Sequence, residues 1–324
     1  MRRRSPVALV LFALFSVGAQ AQAGPGEEAP YIRTPQVVVD KLIELAGVAL
    51  FALFALFSLG AQAQAGLGEE VPYIRTPQVV VDKMLELAAV GAEDFVIDLG
   101  SGDGRIVITA AQKYGARGFG VELDARLVEA SNTAARKAGV AERARFFARD
   151  LFDTDIREAS VLTLYLLPEV NLQLRPRLLA QLQPGTRVVS HDWDMGEWRP
   201  DAQAVVEGLA KPVMPLRASS VYLWIVPARV AGSWSVELEG AGAEQALEVE
   251  FTQRFQEISG IAKRKGGRSL LQSAYLRGPE IRFAVIDETR RPSAPLYFFG
   301  RVYGDTMEGT SGGGRRWSAR RTLP

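Results

Sequence analysis

The stretch DLGSGDG places glycines at alternate positions directly after an acidic residue. Asp98 is followed by Gly100, Gly102 and Gly104, and Ser101 lies inside the loop. Glycine allows the backbone to turn sharply and to pass close to a ligand, where a side chain would collide. An apolar run precedes the loop and a helical pattern follows it. Ligands bind at the carboxyl end of the strand in such units, so the loop is predicted to bind a nucleotide-like cofactor.

The spacing of these glycines differs from the G-x-G-x-x-G of dinucleotide-binding loops. That pattern needs a glycine at position 105, which is Arg105 in this chain. The order D-x-G-x-G-x-G instead resembles motif I of the S-adenosylmethionine (SAM)-dependent methyltransferases, whose cofactor has no pyrophosphate. A dinucleotide-dependent oxidoreductase is therefore the less favoured alternative.

Two further acidic residues end the next two predicted strands. Glu122 ends RGFGVEL and is expected to accept hydrogen bonds from both ribose hydroxyls of the cofactor. Asp150 ends ARFFARDL and is expected to accept from the adenine amino group, with Leu151 beside it as a further cofactor contact. The alternative that these acids only cap helices or turns stays open. Together with the loop, they predict a SAM site.

Alternating strand and helix patterns over residues 72–228 position these side chains. The predicted strands are DFVIDL, RGFGVEL, ARFFARDL, SVLTLYLL, TRVVSHD and SSVYLWIVPA. Thr76-Pro77 predicts a helix start with Thr76 as the N-cap, and further helices follow the glycine-rich loop, the second strand and the fourth strand. Repeated units of this kind imply an α/β fold with a largely parallel sheet and helices on both faces.

The central segment resembles a bacterial group of class I SAM-dependent methyltransferases, similar to the mitochondrial lysine methyltransferases that modify ATP-synthase c-subunits. The resemblance covers about residues 72–228 and rests on PYIRTPQVVVDKMLELA, DLGSGDGRIVITAA, GVELDARLV, RDLF and LYLLPEVNLQLRPRLLAQLQPGTRVVSHDWDMGEW. It implies a Rossmann-like seven-stranded sheet, SAM as the cofactor, and a protein lysine or another amine as the methyl acceptor. In those relatives a Pro-aromatic-x-x-Thr-Pro segment packs over the cofactor, so Tyr73 and Thr76 are expected cofactor contacts.

The segments after the fourth and fifth predicted strands supply candidates for the acceptor side. The catalytic candidates are Tyr165, His191 and Asp192. The substrate-contact candidates are Pro168, Glu169 and Trp193. The segment YLLPEVN lacks the Asn-Pro-Pro-Tyr loop typical of enzymes that methylate amino groups of nucleobases or glutamine. Those acceptors are therefore disfavoured.

Aromatic and histidine side chains near the fifth strand have competing interpretations. His191 is the only histidine and can take a proton near neutral pH, but a structural role is the alternative. Trp193 and Trp198 are expected to serve in packing or as a lid, rather than as a cation-binding cage.

Composition excludes several other chemistries. The chain has 324 residues, no cysteine and a single histidine, which excludes disulfides, thiolate nucleophiles, Cys-ligated zinc and multi-histidine metal sites. No metal is expected. The formal net charge of +1 does not favour a nucleic-acid partner, and none is expected.

The first 71 residues contain a duplication. Residues 1–23 read as a secretory signal peptide, with three arginines, an apolar run and an Ala-x-Ala pattern. Residues 24–71 repeat this text, including a second apolar run at 45–60, and PYIRTPQVVVDK occurs both there and at the start of the central segment. The run is a possible membrane tether. An exported (periplasmic) or inner-membrane-tethered protein is expected, and a cytoplasmic one if the two runs form a hairpin.

Residues 229–324 alternate in strand fashion between turns that contain glycine. This pattern predicts a small antiparallel β domain, either a partial barrel or a sandwich, with a faint resemblance to lipocalin-like barrels. The predicted fold is thus a Rossmann-like class I methyltransferase sheet followed by that domain. An exported, non-catalytic binding protein that keeps the SAM fold is the alternative to an enzyme.

Overall fold

The structure, a computed structural model, describes residues 74–208, 218–240, 247–264, 267–287 and 294–322. The predicted signal peptide, the duplicated leader with its apolar run, and Tyr73 lie outside these residues. No helix in the described part of the chain is both long and apolar enough to cross a bilayer.

A seven-stranded sheet forms the first part of the described chain. Its strands are β1 (Phe95–Leu99), β2 (Arg117–Glu122), β3 (Ala144–Ala148), β4 (Val161–Leu164), β5 (Arg187–His191), β6 (Ala202–Glu207) and β7 (Ala218–Ile225). They are arranged in the order β3-β2-β1-β4-β5-β7-β6. Strands β1 to β5 run parallel, whereas β7 is antiparallel to both β5 and β6. The predicted Rossmann-like class I methyltransferase sheet is confirmed.

Helices cover both faces of this sheet. The described helices are α1 (Gln78–Leu87), α2 (Arg105–Tyr114), α3 (Ala125–Lys137) and α4 (Pro168–Gln181). Neighbouring side chains of a strand point to opposite faces, so Val96 of β1 packs in the cluster that α1 and α2 share, and Ile97 packs in the cluster of α4. Because both faces are buried, the central strands are apolar runs without polar alternation.

Two local predictions differ from the structure. The first described helix begins with Pro77 as its N-cap and has no side-chain cap, so the prediction of Thr76 as the N-cap was wrong. The hydroxyl of Thr76 contacts His191 instead. The pattern also missed β6, because this edge strand buries only Val206 and therefore lacks an apolar run.

A second sheet contains the remaining strands. They are β8 (Gly232–Leu238), β9 (Leu247–Arg254), β10 (Glu257–Arg264), β11 (Gly267–Leu270), β12 (Gln272–Arg277), β13 (Glu280–Asp287), β14 (Ala294–Tyr303), β15 (Thr306–Ser311) and β16 (Arg316–Arg321). Apart from β11 and β12, which do not pair with each other, each strand pairs antiparallel with the next, and the last strand, β16, pairs with the first, β8.

The second sheet closes on itself at Leu271. This residue alone separates β11, which pairs with β10, from β12, which pairs with β13. The two short strands thus act as one bent strand, and the result is a closed barrel of eight antiparallel strands. Closure removes the unpaired edges that an open sheet would expose. The predicted antiparallel β domain is confirmed, with a closed barrel where a partial barrel or sandwich was expected.

Aromatic side chains fill the interior of the closed sheet. Phe283 and Phe298 stack with ring centroids 4.8 Å apart, and Trp317 meets both rings edge-on. Among the described residues of this sheet, Ser311 is the only buried polar one. The interior therefore offers apolar packing and no cluster of reactive side chains.

Candidate functional site

The loop after β1, residues 100–104, is called the glycine loop below. Its three glycines all have positive φ, at 78° for Gly100, 52° for Gly102 and 77° for Gly104. A Cβ at Gly104 would lie 2.5 Å from the ring of Phe146, and one at Gly100 would lie 2.8 Å from Leu166. The glycines are therefore required by the backbone conformation and by packing within the protein, in addition to any ligand.

Glu122 links the end of β2 to the glycine loop. Its Oε2 accepts a hydrogen bond from the backbone amide of Gly102 (3.1 Å), and its Oε1 accepts from the amides of Leu123 (2.8 Å) and Asp124 (3.2 Å). Each carboxylate oxygen has two lone-pair sites, so Oε1 is filled by its two amides and Oε2 keeps one site for a ligand. The three amides hold this carboxylate in one orientation.

Asp98 is buried at the end of β1. Its Oδ1 accepts a hydrogen bond of 2.7 Å from the hydroxyl of Thr163 on β4. Burial, together with the nearby charges of Glu122 and Asp103, raises the pKa of Asp98 to about 7 against the opposing effect of the hydrogen bond from Thr163. Near neutral pH a substantial fraction of this carboxyl is thus protonated in the ligand-free protein.

Arg105 and Asp103 are contacts that the sequence analysis did not identify as functional. The guanidinium of Arg105 donates from Nε to Asp103 and from Nη1 to the carbonyl of Thr76 (2.8 Å). Arg105 occupies the position where a dinucleotide-binding loop needs a glycine. It thus attaches the segment before α1 to the glycine loop. The presence of arginine at the third-glycine position is the signal that could have identified it.

Asp150 lies directly beyond the end of β3, as predicted. Its surroundings are compatible both with a capping role and with a contact to the cofactor. Its Oδ1 accepts from the amide of Phe152 (2.8 Å) and caps a short 3₁₀ helix, Leu151–Asp153. Leu151 packs beside the apolar cluster of α4. The structure therefore shows the capping role, and the contact with adenine stays a prediction.

The glycine loop fits a cofactor that presents hydroxyl and amine donors. Ser101 is buried, and within the described residues its hydroxyl has no hydrogen-bond partner, which leaves it available to a ligand. The carboxylate of Glu122 is oriented beside the same loop. These features suit the ribose and methionine portions of SAM, and Asp98, Ser101 and Glu122 are the residues that would hold them.

His191 is buried at the end of β5 with both ring nitrogens in polar contacts. Nδ1 lies 3.2 Å from the hydroxyl of Thr76, and Nε2 lies 2.9 Å from the hydroxyl of Ser219. The ring stacks on Tyr165 with centroids 3.9 Å apart, and Oδ2 of Asp192 lies 3.4 Å from Nε2. The three catalytic candidates are thus brought together, and the contacts of His191 favour a positioning role over direct proton transfer to an acceptor.

Tyr165 is half-buried against the imidazole ring of His191. Burial, and secondarily the negative charge of Asp192, raise the pKa of its hydroxyl. The phenol therefore stays neutral at physiological pH and can donate or accept a hydrogen bond at this edge of the sheet.

The loop after β5, residues 192–199, is called the β5 loop below. It begins with Asp192 at a φ of 62°, a left-handed conformation that is uncommon for residues other than glycine. Oδ1 of Asp192 accepts from the amide of Ser220 on β7 (3.0 Å), and the carbonyl of Trp193 accepts from the side chain of the buried Asn171 (3.2 Å). Backbone strain held by such contacts is typical of functional loops.

Two of the three substrate candidates lie at the start of α4. Pro168 is the first residue of that helix and Glu169 is exposed in its first turn. Trp193 is partly buried, whereas Trp198 is fully buried and stacks on Phe255, which places Trp198 in packing and not in a cation-binding cage.

Comparison with known proteins agrees with this geometry. The family model described as the ANTKMT methyltransferase domain matches residues 98–202, from the end of β1 to the start of β6. A protein-lysine N-methyltransferase of Saccharolobus islandicus is 44% identical over 119 residues, which are 36% of this chain and 74% of that protein. The chain belongs to the family of this protein-lysine N-methyltransferase. It is a SAM-dependent methyltransferase, and SAM is its cofactor.

Two further similar proteins match this chain, one over a smaller and one over a larger share of its own length than the Saccharolobus islandicus protein. The lysine N-methyltransferase of the ATP synthase c-subunit from Mus musculus is 38% identical over 106 residues, or 33% of this chain and 42% of that protein. The chain thus spans less than half of that relative's length. A crystal structure of an RNA methyltransferase from Salinibacter ruber with S-adenosyl-L-homocysteine is 52% identical, and the match covers 48% of this chain and 96% of that one with a TM-score of 0.45.

Proposed function

We propose that this methyltransferase transfers a methyl group from SAM to the side-chain amine of a lysine in a protein. The observation that supports it most is the 44% identity over 119 residues to the protein-lysine N-methyltransferase of Saccharolobus islandicus. A protein acceptor follows from that relationship, and the membrane tether proposed from residues 45–60 plays no part in it.

The reaction asks for positioning more than for strong acid–base chemistry. Bound SAM would supply an electrophilic methyl carbon on a sulfonium, and the amine lone pair of the lysine would attack that carbon in line while the sulfur leaves as a thioether. The lysine must first lose a proton, because only about one lysine amine in a thousand is neutral at pH 7.4. Desolvation and the nearby positive sulfonium both lower the lysine pKa, so a dedicated base is not required.

The residues at the edge of the sheet divide into two groups with different tasks. Glu122 and the glycine loop bind and orient the cofactor. Asp192 provides a carboxylate that attracts the incoming ammonium, and Tyr165 provides a neutral hydroxyl that can accept a hydrogen bond from the amine. His191 holds Tyr165 and the segment at Thr76 in place through its stacking and polar contacts.

The test is a search for the methylated product. The purified full chain is incubated with isotope-labelled SAM and three acceptor pools: cell protein, total RNA and free polyamines. We expect labelled N-methyllysine in the protein pool by mass spectrometry, and none with Gly102→Val, which cannot adopt the required left-handed backbone. Label confined to RNA or to free amines would refute the proposal.

A further inference from the structure

A turn of the closed sheet contacts the β5 loop. The turn joins β9 to β10, and its residue Phe255 stacks on Trp198 with ring centroids 6.1 Å apart and an interplanar angle of 16°. Trp198 is fully buried and in turn meets Trp224 of β7 at 6.0 Å. The closed sheet therefore reaches the segment that follows the catalytic candidates His191 and Asp192.

A second set of contacts fastens the β5 loop to α4 and to the same ring. Nη1 of Arg175 donates to the carbonyl of Met195 (2.7 Å), and the guanidinium of Arg175 lies 5.5 Å from the ring centroid of Phe255. Such a cation–π arrangement is favourable, more so when it is partly desolvated. The β5 loop is thus held between helix α4 on one side and the turn of the closed sheet on the other.

Polar contacts of the residues on either side of Phe255 also join the closed sheet to the β5 loop. The side chain of Gln256 donates to the carbonyl of Arg199 (2.6 Å), and the side chain of Arg254 forms an ion pair with Glu197 (2.8 Å). Three consecutive residues, from the end of β9 through the turn, therefore contact the β5 loop.

The backbone of the turn is held in an unfavourable conformation. Phe255 has a φ of 55°, in the left-handed region. The side chain of Gln253 donates to the carbonyl of Phe255 (2.7 Å) and accepts from the amide of Val230 (2.7 Å). A bulky residue at positive φ is strained and persists only where its surroundings require it, and such strain is concentrated at functional sites.

We propose that Phe255 is a positioning residue for methyl transfer, through which the closed sheet sets the conformation of the β5 loop. The inference rests on the proposed function for the identity of the acceptor. It assigns the closed sheet a role in the turnover of the acceptor and none in cofactor affinity, because Glu122 is held by the glycine loop and by the backbone after β2, and Asp98 is held by β4.

Phe255→Gly is the most informative variant, because glycine accepts the left-handed backbone without strain and removes only the ring. Phe255→Tyr restores a ring, and Tyr303→Ala removes an exposed aromatic residue at another turn of the same sheet. Each full-length protein is tested for SAM affinity by calorimetry, for methyl transfer to poly-L-lysine, and for amide hydrogen exchange within residues 192–199.

We expect Phe255→Gly to lower kcat/KM for poly-L-lysine at least about 10-fold, since small misplacements of a reacting group have effects of that size. Hydrogen exchange in the β5 loop should accelerate, while SAM affinity stays within about twofold of the wild type. Phe255→Tyr should restore both properties, and Tyr303→Ala should change neither.

The exchange measurement separates this inference from the proposed function. If the wild type does not methylate poly-L-lysine but Phe255→Gly still accelerates exchange only in the β5 loop, the acceptor is wrong and the positioning role stands. Unchanged exchange in Phe255→Gly would overturn the inference. So would a loss of SAM affinity equal to the loss of turnover, because it would indicate general damage to the fold.

Discussion

The glycine loop and the β5 loop lie at the same edge of the seven-stranded sheet, yet different groups hold them in place. In the glycine loop the contacts are local: three glycines at positive φ, and a carboxylate, Glu122, that accepts from nearby backbone amides. In the β5 loop the contacts come from side chains of three distant segments, represented by Asn171 on α4, Ser220 on β7 and Phe255 in the closed sheet.

This difference indicates that the two loops tolerate substitutions to different degrees. A cofactor site built from backbone conformation tolerates few substitutions, because most side chains cannot adopt the glycine φ values. A loop positioned by side chains of other elements can change its shape when one partner changes. We therefore expect substitutions near the glycine loop to affect SAM binding, and substitutions around the β5 loop to affect the acceptor.

The largest expected effect concerns Asp98 at the base of the glycine loop. Because burial raises its pKa to about 7 from the ordinary 3.8, the folded ligand-free protein binds this proton more tightly than the unfolded chain does. The free energy of unfolding of the wild type should therefore fall as the pH rises from about 4 to about 7, on the order of 4 kcal/mol relative to Asp98→Asn, and level off above that.

Urea unfolding of both proteins across that pH range, without SAM, measures this difference. Asp98→Asn is a suitable reference because its amide oxygen can still accept the hydrogen bond from Thr163. Parallel pH profiles for the two proteins would show that Asp98 is not protonated in the folded state.

An intermediate effect is expected for Glu122. Hydrogen bonds to a charged acceptor contribute about 1.5–3 kcal/mol each, so Glu122→Ala should weaken SAM binding about 10- to 100-fold if the carboxylate accepts from the ribose. Calorimetric titration with SAM checks this, and Glu129→Ala, an exposed acid on the neighbouring α3, is the matched control. Affinity at the wild-type level in a folded Glu122→Ala protein would contradict the cofactor assignment.

The smallest expected effect concerns Thr76, which contacts residues next to both loops. Its hydroxyl lies 3.2 Å from Nδ1 of His191, and its carbonyl accepts from Arg105 of the glycine-loop side. Thr76→Val removes only the first contact and should lower the free energy of unfolding by about 1–2 kcal/mol, whereas Thr76→Ser should retain it. Denaturant titration measures both, and equal stability of the valine and serine variants would show that the contact between the hydroxyl and His191 does not stabilise the fold.

Features that depend on neighbours in the chain were predicted well. Asp98 and the glycines form one short motif, and Glu122 and Asp150 end apolar runs whose length identifies them as strands. The period of apolar residues indicates which face of an element is buried, and strand ends in a parallel sheet meet at one edge. The location of the cofactor-side residues at that edge therefore followed from the sequence, apart from Tyr73, which lies outside the described residues.

Features that depend on distant partners were not predicted. The edge strand β6 has too little apolar pattern to identify it, and Thr76 was assigned to a helix cap because its contact with His191 joins residues far apart in the chain. The contact between Phe255 and Trp198 has no signature in either segment. Periodicity shows that an aromatic residue is buried but does not show which residue it meets.

The sequence by itself determined the class of sheet, the position of the glycine loop and the positions of the acids at the ends of the neighbouring strands, because these depend on short-range backbone preferences and on burial patterns. Only the tertiary structure decided that the antiparallel strands close into a barrel through the bent segment at Leu271, and that one turn of this barrel contacts the β5 loop. Closure and docking depend on strand register and on the shapes of two packed surfaces, which no local pattern of residues encodes.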